Sequence, residues 1–341
     1  MSKGNILVTG GCGYIGSHTI VDLLENGFSV VSLDNLINAS EKPLAAIEKI
    51  TGQRVINHRI DLSDRTATLD FFSRHQFDGL IHFAALKMVG ESVEKPLEYF
   101  RNNLDGLLNV IEGQQNNGNG NFVFSSSCSV YGNAEELPVT ESTPRLEAES
   151  PYALTKQMGE DILQHYCKAQ PDFATVLLRY FNPAGAHPSG LMGEDPRNPA
   201  ASLVPVITEV AAGKREKMTV FGNDYPTRDG SCVRDFIHIM DLAHAHTLAL
   251  EYLLAGEVKE NPALFNLGLG QGMTVLEAIN AFEKTTGQKL NYEIGPRRSG
   301  DVVAVYSDNH KANNELNWHP QRSVEDILAS AWAWEQRKAG E

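Results

Sequence analysis

The sequence predicts an α/β fold: a doubly wound parallel sheet followed by a smaller, mixed α/β domain. Three observations carry this. Short apolar runs alternate with helix-compatible stretches through the first half, a glycine-rich turn lies directly behind the first run, and prolines and glycines crowd the chain after Arg179. The runs are residues 6–8, 30–33, 80–83, 122–125 and 175–178, and the stretches between them include 15–26 and 93–112. Strands separated by helices pair in parallel through right-handed crossovers. The Asn/Gly-rich piece 114–121 reads as a turn between a helix and a strand. Pro183, Pro188, Pro196, Pro199 and Pro205, with Gly185, Gly190 and Gly193 among them, read as a long functional loop opening a second domain. The expected division is therefore 1–180 and 181–341, with some later segments returning to the first domain. Later helices are expected at 202–212, 241–255, 275–286 and 324–337.

The bulk properties exclude several classes. The chain has 341 residues, 42% hydrophobic and 21% charged, ordinary for a globular protein. No apolar stretch approaches the ~18 residues of a membrane span, and the N-terminus runs into residues 5–8 with no signal-peptide pattern. A net charge of -14 argues against non-specific nucleic-acid binding. It leaves room for an anionic small substrate held by a few local arginines. Cys12, Cys128, Cys167 and Cys232 are scattered, without metal spacing, and read as free thiols of a reducing, cytoplasmic compartment. His244 and His246 stand two apart, so they share no helix face, and no metal site is expected.

The glycine turn is specific in its setting. Gly11, Gly13 and Gly16 fit G-x-G-x-x-G between the first strand and an amphipathic helix. Such glycines serve a tight turn, close approach to a pyrophosphate, and helix–strand packing, and the helix N-terminus favours phosphate. Ordinary turns also use glycines, but the strand–turn–helix context favours a dinucleotide site. Asp34 ends the second strand eighteen residues after Gly16, followed by Asn35 and Leu36 and no arginine. A carboxylate there binds ribose hydroxyls and repels a 2′-phosphate, which favours NAD over NADP. Asp61, after the 55–60 segment, is a further candidate for the adenine end, or a helix cap.

The sharpest chemical signal is Ser150-Pro151-Tyr152-Ala153-Leu154-Thr155-Lys156. Ser150 suits an N-cap and Pro151 the first helical position. Tyr152 and Lys156 then lie on one helix face. A tyrosine works as a base only if its pKa falls from ~10 towards neutrality, a change worth ~4 kcal/mol. A nearby ammonium and an oxidised nicotinamide are expected to provide this. Tyr-x-x-x-Lys alone is often a solvated helix face; here it follows a strand carrying Ser125-Ser126-Ser127. Ser127 can bridge a substrate hydroxyl and the phenol. Cys128 and Ser129 follow it, with no acid, and eliminating water from a sugar needs an additional acid and base.

At these residues the sequence resembles the UDP-sugar 4-epimerases of the extended short-chain dehydrogenase/reductase family, over nearly its whole length. The matching runs are 8–19, 82–92, 125–132, 178–183, 221–225 and 233–235. The resemblance implies a Rossmann-type domain with bound NAD, a homodimer, and reversible inversion at C4 of UDP-glucose and UDP-galactose in galactose metabolism. By it, Gly10, Gly11, Gly13, Tyr14, Ile15, Gly16, Asp34, Asn35, Asn38, Asp61, Leu62, Phe83, Ala84, Ala85, Lys87 and Asn103 would contact NAD. Ser127, Tyr152, Lys156 and Phe181 would border the nicotinamide. Lys87, Ser127, Ser129, Tyr152, Asn182, Ser202, Leu203, Thr219, Val220, Phe221, Arg234, Arg298, Asp301 and Val305 would face the UDP-sugar. The arginines stand on their own argument: a diphosphate in an acidic protein needs concentrated positive charge, and Arg binds phosphate bidentately.

Two positions depart from the family pattern. Ala201-Ser202-Leu203 stands where an Asn pair before Leu is frequent, and Val305 occupies a specificity position where Tyr or a small residue is usual. Val leaves more room than Tyr, so activity on UDP-GlcNAc and UDP-GalNAc is an expectation. The expected catalytic residues are Tyr152, Lys156 and Ser127. Two alternatives are a nucleotide-sugar 4,6-dehydratase, disfavoured by the missing acid after Ser127, and a non-enzymatic NAD sensor, disfavoured by the intact triad. Apolar stretches at 104–111 and 158–166 are candidates for the dimer face or for packing on the sheet.

Overall fold

A computed structural model describes residues 2–118, 120–197, 199–298 and 301–340. The first half runs β1 (Asn5–Thr9), α1 (Tyr14–Glu25), β2 (Ser29–Leu33), α2 (Lys42–Thr51), β3 (Ile56–His58), α3 (Arg65–Arg74) and β4 (Gly79–His82). Then come α4 (Val89–Glu94), α5 (Pro96–Phe100), a π-helical turn (Arg101–Asp105), α6 (Gly106–Asn116), β5 (Phe122–Ser127), α7 (Pro151–Ala169) and β6 (Thr175–Tyr180). The second half runs β7 (Asn182–Ala184), α8 (Leu203–Ala211), β8 (Met218–Phe221), β9 (Val233–Arg234), β10 (Phe236–His238), α9 (Ile239–Leu254) and β11 (Ala263–Leu267). It closes with β12 (Met273–Thr274), α10 (Val275–Thr286), β13 (Tyr292–Gly295), β14 (Ala304–Val305), α11 (His310–Glu315) and α12 (Val324–Gly340).

The main sheet has seven strands in the order β11-β6-β5-β4-β1-β2-β3, every pair parallel. The order reverses between β1 and β4, and the crevice outside their carboxyl ends is where an open α/β sheet places a ligand. The side-chain period of two feeds two cores. Ile6 and Val8 of β1 join Ile20, Leu23, Leu242 and Leu250 on one face, with α1 and α9. Leu7 joins Leu80, Leu107, Val110, Phe124 and Leu163 on the other, with α6 and α7. A sheet covered on both faces explains why its strands read as near-continuous apolar runs.

Two elements from the second half complete this layer. β11 pairs with β6 at the sheet edge, and α9 packs on α1. The remaining second-half elements build their own core from Val204, Ile207, Phe236, Ile279, Phe282, Ile327 and Leu328. The second half also forms the small sheets β10-β7, β12-β9-β14 and β13-β8.

The expected single helix over 93–112 is broken. Pro96 has no N–H and disfavours helical geometry in the residue before it. Lys95 accordingly sits at φ -128, ψ 53, ending α4 and starting α5. The π-turn then re-aims the chain so that Asn103 is buried.

Candidate active site

The glycine turn forms a cradle that only glycine permits. Gly10 holds φ +71 against the backbone of Ala84, and a Cβ on Gly16 would collide with the Gly10 carbonyl. A Cβ on Gly11 would meet the Ser32 hydroxyl. Gly13 caps α1 without a side chain, leaving the first N–H groups of the helix with no side-chain acceptor. These features fit a pyrophosphate. Asp34, buried at the end of β2, accepts from the Cys12 amide (3.1 Å) and the Leu36 amide (2.8 Å). Burial raises its pKa, while those amides and Arg197 lower it.

Other expected cofactor residues surround the same crevice. Tyr14 donates to the Gly185 carbonyl (2.7 Å). Ile15 is half-buried against the core, as is Phe83, which packs on the His246 ring at 4.6 Å. Ala84 and Ala85 follow as half-buried residues behind β4. Asn103 accepts from the Leu86 amide (2.8 Å) and donates to the Thr155 hydroxyl (3.0 Å), tying the β4 loop to α7. Asn35 accepts from the Ile37 amide (3.0 Å), and Asn38 is exposed. The Asp61 carboxylate is exposed and takes the Ser63 amide and hydroxyl, while Asp64 is the cap of α3. Leu62 turns its side chain into the core.

Ser127, Tyr152 and Lys156 meet where β5 ends and α7 begins. Ser150 caps α7, accepting from the Ala153 amide (3.2 Å), with Pro151 in the first turn. This places Tyr152, Lys156 and Glu160 on one helix face. Ser127 accepts from the Ser129 amide (3.2 Å) and hydroxyl (3.0 Å), and its hydroxyl lies near enough to the Tyr152 phenol to favour the phenolate. Lys156 is buried, donates to the Ser125 carbonyl (2.6 Å), and lies 6.0 Å from the Tyr152 ring centroid.

Burial dominates the electrostatics of this set. The Tyr152 phenol is pushed up to about 12, chiefly by burial, against the Ser127 contact that lowers it. Lys156 is pulled down to about 8 by burial, against the Glu160 carboxylate. Lys156 donates one of its ammonium protons to Ser125, and the expected lowering of the phenol joins that ammonium to an oxidised nicotinamide. Cys128, next to Ser127, is raised to about 12 by burial and stays a neutral thiol.

Beneath this set lies a network that the sequence did not signal. Glu160 accepts from Arg179 at 2.8 and 2.6 Å, from Ser126, and from Arg145 at 3.4 Å. Arg179 and Ser126 sit in register on neighbouring strands. Their pairing depends on a β5–β6 register that no local motif encodes.

Most of the remaining candidates lie in the second half of the chain. The Asn182 side chain donates to the Asp235 carbonyl (2.9 Å). Asp235 itself is buried and accepts from the amides of Leu269 (2.9 Å), Gly270 (3.1 Å) and Ser307 (3.0 Å) and from the Ser307 hydroxyl (2.6 Å). Arg234 (3.5 Å) and Arg298 (2.7 Å) converge on the Asp301 carboxylate, concentrating two positive charges in an acidic chain. Arg298 also covers the exposed Phe221 ring at 5.4 Å. Val305 pairs with Arg234 and packs with Phe181, Val130 and Tyr131. Ser202 is exposed and caps α8 without a side-chain hydrogen bond, with Leu203 half-buried behind it. Thr219 lies beside buried Val220 on β8, so Val220 offers the site only its backbone. Lys87 pairs with Glu194 at 3.5 Å. No arginine follows Asp34 in sequence, yet Arg197 reaches the Leu36 carbonyl (2.9 Å) beside it. Among the described residues no cluster of His, Cys, Asp and Glu could hold a metal.

A switch-point crevice with a glycine cradle at one end and a Ser-Tyr-Lys set at the other defines a dinucleotide-binding fold and site of the extended short-chain dehydrogenase/reductase class. The model of the GDP-mannose 4,6 dehydratase family matches residues 7–331. The chain is 48% identical over 333 residues to UDP-glucose 4-epimerase of Erwinia amylovora, covering 98% of each chain. The crystal structure of UDP-glucose 4-epimerase from Bifidobacterium longum, in complex with NAD+ and UDP, superposes with a TM-score of 0.94 at 43% identity, covering 98% of this chain and 99% of that one. UDP-glucose-4-epimerase from Stenotrophomonas maltophila, with bound NAD and formylated UDP-arabinopyranose, gives 0.94 at 42%, covering 99% of each. The chain belongs to the UDP-glucose 4-epimerase family.

Proposed function

We propose that this chain catalyses reversible inversion of the C4 hydroxyl of UDP-glucose and UDP-galactose with a resident NAD. The observation that carries this is the Ser127–Tyr152–Lys156 set beside the glycine cradle, with Cys128 and Ser129, not acids, following Ser127. That arrangement supports a proton-and-hydride cycle at one carbon and lacks the additional acid a 4,6-dehydration would need. The relatives named as epimerases favour the same reading.

NAD, when bound, supplies the hydride acceptor and donor and adds positive charge near the phenol. Gly10, Gly11, Gly13 and Gly16 would hold its pyrophosphate, Asp34 a ribose, and Lys156 the region nearest Tyr152. Tyr152 takes the C4 hydroxyl proton and returns it after the 4-keto sugar has turned over. Ser127 orients that proton path. Arg234 and Arg298 would hold the diphosphate, leaving the sugar loose enough to rotate.

The test is incubation of the protein, without added NAD, with UDP-galactose, UDP-glucose and their N-acetyl forms. An isomer of unchanged mass is expected; loss of water would instead support the dehydratase reading. Tyr152→Phe should abolish turnover and leave NAD content intact, and unaffected turnover would sink the assignment. The smaller side chain of Val305, against a Tyr at that position, supports turnover of the N-acetylated sugars. Near-zero activity on both, beside good UDP-galactose activity, would remove that part.

We assign 1–180, with β11 and α9, to cofactor binding, and the rest of 181–341 to the UDP-sugar. No described helix is long and apolar enough to cross a membrane, and the four free cysteines support a cytoplasmic location. Exposed Leu108, Leu154 and Met158 on α6 and α7 support a homodimer through that face. Sedimentation of wild type against Met158→Lys tests it.

A further inference from the structure

Three loops border the crevice: the glycine turn behind β1, the Asp34 loop behind β2 and the Lys87 loop behind β4. One segment of the second half, residues 185–197, touches all three. The Gly185 carbonyl accepts from Tyr14 (2.7 Å), the Arg197 guanidinium donates to the Leu36 carbonyl (2.9 Å), and the Glu194 carboxylate pairs with Lys87 (3.5 Å). The segment is braced from outside by α12. Trp334 Nε1 donates to the Glu194 carbonyl (3.0 Å), and Lys338 pairs with Asp195 at 2.7 Å. An antiparallel bridge between Ala186 and Gly193 stiffens it, and Gly193 lies so close to the Trp334 ring that a Cβ would collide.

The Arg197 contact falls on a strained residue. Leu36 holds φ +63, a conformation that a branched side chain rarely adopts. Its amide is fixed by Asp34 and its carbonyl by Arg197. Removing Arg197 frees one end of the loop that carries the ribose-facing carboxylate.

We propose that residues 185–197 form a retention strap over the dinucleotide, with Arg197 and Glu194 as its latch residues. This rests on the NAD reading of the crevice. The chemistry gives the strap a purpose. Hydride leaves C4 and returns to C4, so the cofactor ends each cycle in the state in which it began and has no need to exchange. A contact to each of three bordering loops opposes its departure without touching the reacting atoms.

The test compares wild type, the double variant Arg197→Ala/Glu194→Gln, and Trp334→Phe, which loosens the strap from the α12 side. Each is purified as the full chain and passed through NAD-free buffer, and the NAD remaining is released by acid and quantified over time. The double variant should lose NAD about tenfold faster than wild type, the scale of two partly exposed polar contacts. Trp334→Phe should show a smaller acceleration. Added NAD should restore full turnover, and melting temperatures at saturating NAD should match wild type. Equal release rates in wild type and double variant would overturn the strap, as would slow turnover that added NAD does not restore. A wild type that carries no NAD and gains no turnover from it would overturn the cofactor reading and the strap together.

Discussion

At the scale of single residues, charge burial governs Lys156. Its folded pKa of about 8 lies below that of a free lysine, because burial penalises the ammonium. Between the two values the unfolded chain keeps a proton that the folded chain has released. Stability from this group is therefore complete above the unfolded value and lost as pH falls through about 8. Activity runs the other way, since the ammonium is the form that assists Tyr152. A pH series should show turnover declining above about pH 8 while the melting temperature does not fall with it. Parallel loss of both would assign the decline to unfolding. Arg179 makes a second residue-scale case. Its bidentate bond to Glu160 is buried, so Arg179→Met leaves that carboxylate with only Ser126 and the Arg145 contact at 3.4 Å and should cost on the order of 3 kcal/mol in urea titrations. Replacing both partners by apolar residues should recover part of that loss.

At the scale of elements, the proposed base depends on how its helix begins. The Ser150 cap fixes the first turn of α7, and that turn carries Tyr152. Ser150→Ala should destabilise the fold by about 1 kcal/mol and raise the mobility of Tyr152. The measurements are chemical denaturation and kcat, and kcat should fall more than KM rises. The glycine turn is stricter. Gly16→Ala puts a methyl group against the Gly10 carbonyl, backbone that cannot swing aside. Purified Gly16→Ala protein should lack NAD while keeping its secondary structure by circular dichroism. These elements were legible because their signals are local: Ser before Pro, glycines behind a strand, Tyr and Lys one turn apart. The break at Lys95–Pro96 was legible too, since Pro96 stands inside the helix-compatible stretch 93–112.

At the scale of the whole molecule, buried titratable groups set the acid limit. His18 and His246 are lowered to about 4, and His82 and His238 to about 3, mainly by burial. Below the ordinary histidine range the unfolded chain takes up protons that these four do not, so stability falls as pH drops from 6.5 towards 4. Asp235 opposes this. Its carboxyl is raised to about 6 by burial, so its stabilising share is complete below 3.8 and lost as pH rises through about 6. Asp34, Glu141 and Asp241 are also raised by burial and act with Asp235, while His58 and His187 are lowered along with the four, so the urea midpoint should drop between pH 6 and 4.5, on the order of 1 kcal/mol per pH unit for each net proton. A flat profile across that range would count against four neutral buried imidazoles.

What the sequence determined by itself was what nearest neighbours along the chain encode. The alternation of strand and helix, the pyrophosphate cradle, the carboxylate at the end of β2 and the Tyr152–Lys156 spacing all lie within a few turns of backbone. Only the tertiary structure decided which distant groups meet them. It brought Arg197 to the Asp34 loop, Glu194 to Lys87, Arg179 to Glu160 and β11 to β6. It also set the burial that raises Tyr152 before any cofactor charge is added, since the pKa of a side chain depends on desolvation and on the charges around it in space. Local motifs place the reacting groups on their elements, but register, burial and long-range ion pairs arise only when the sheet and the second domain close on one crevice.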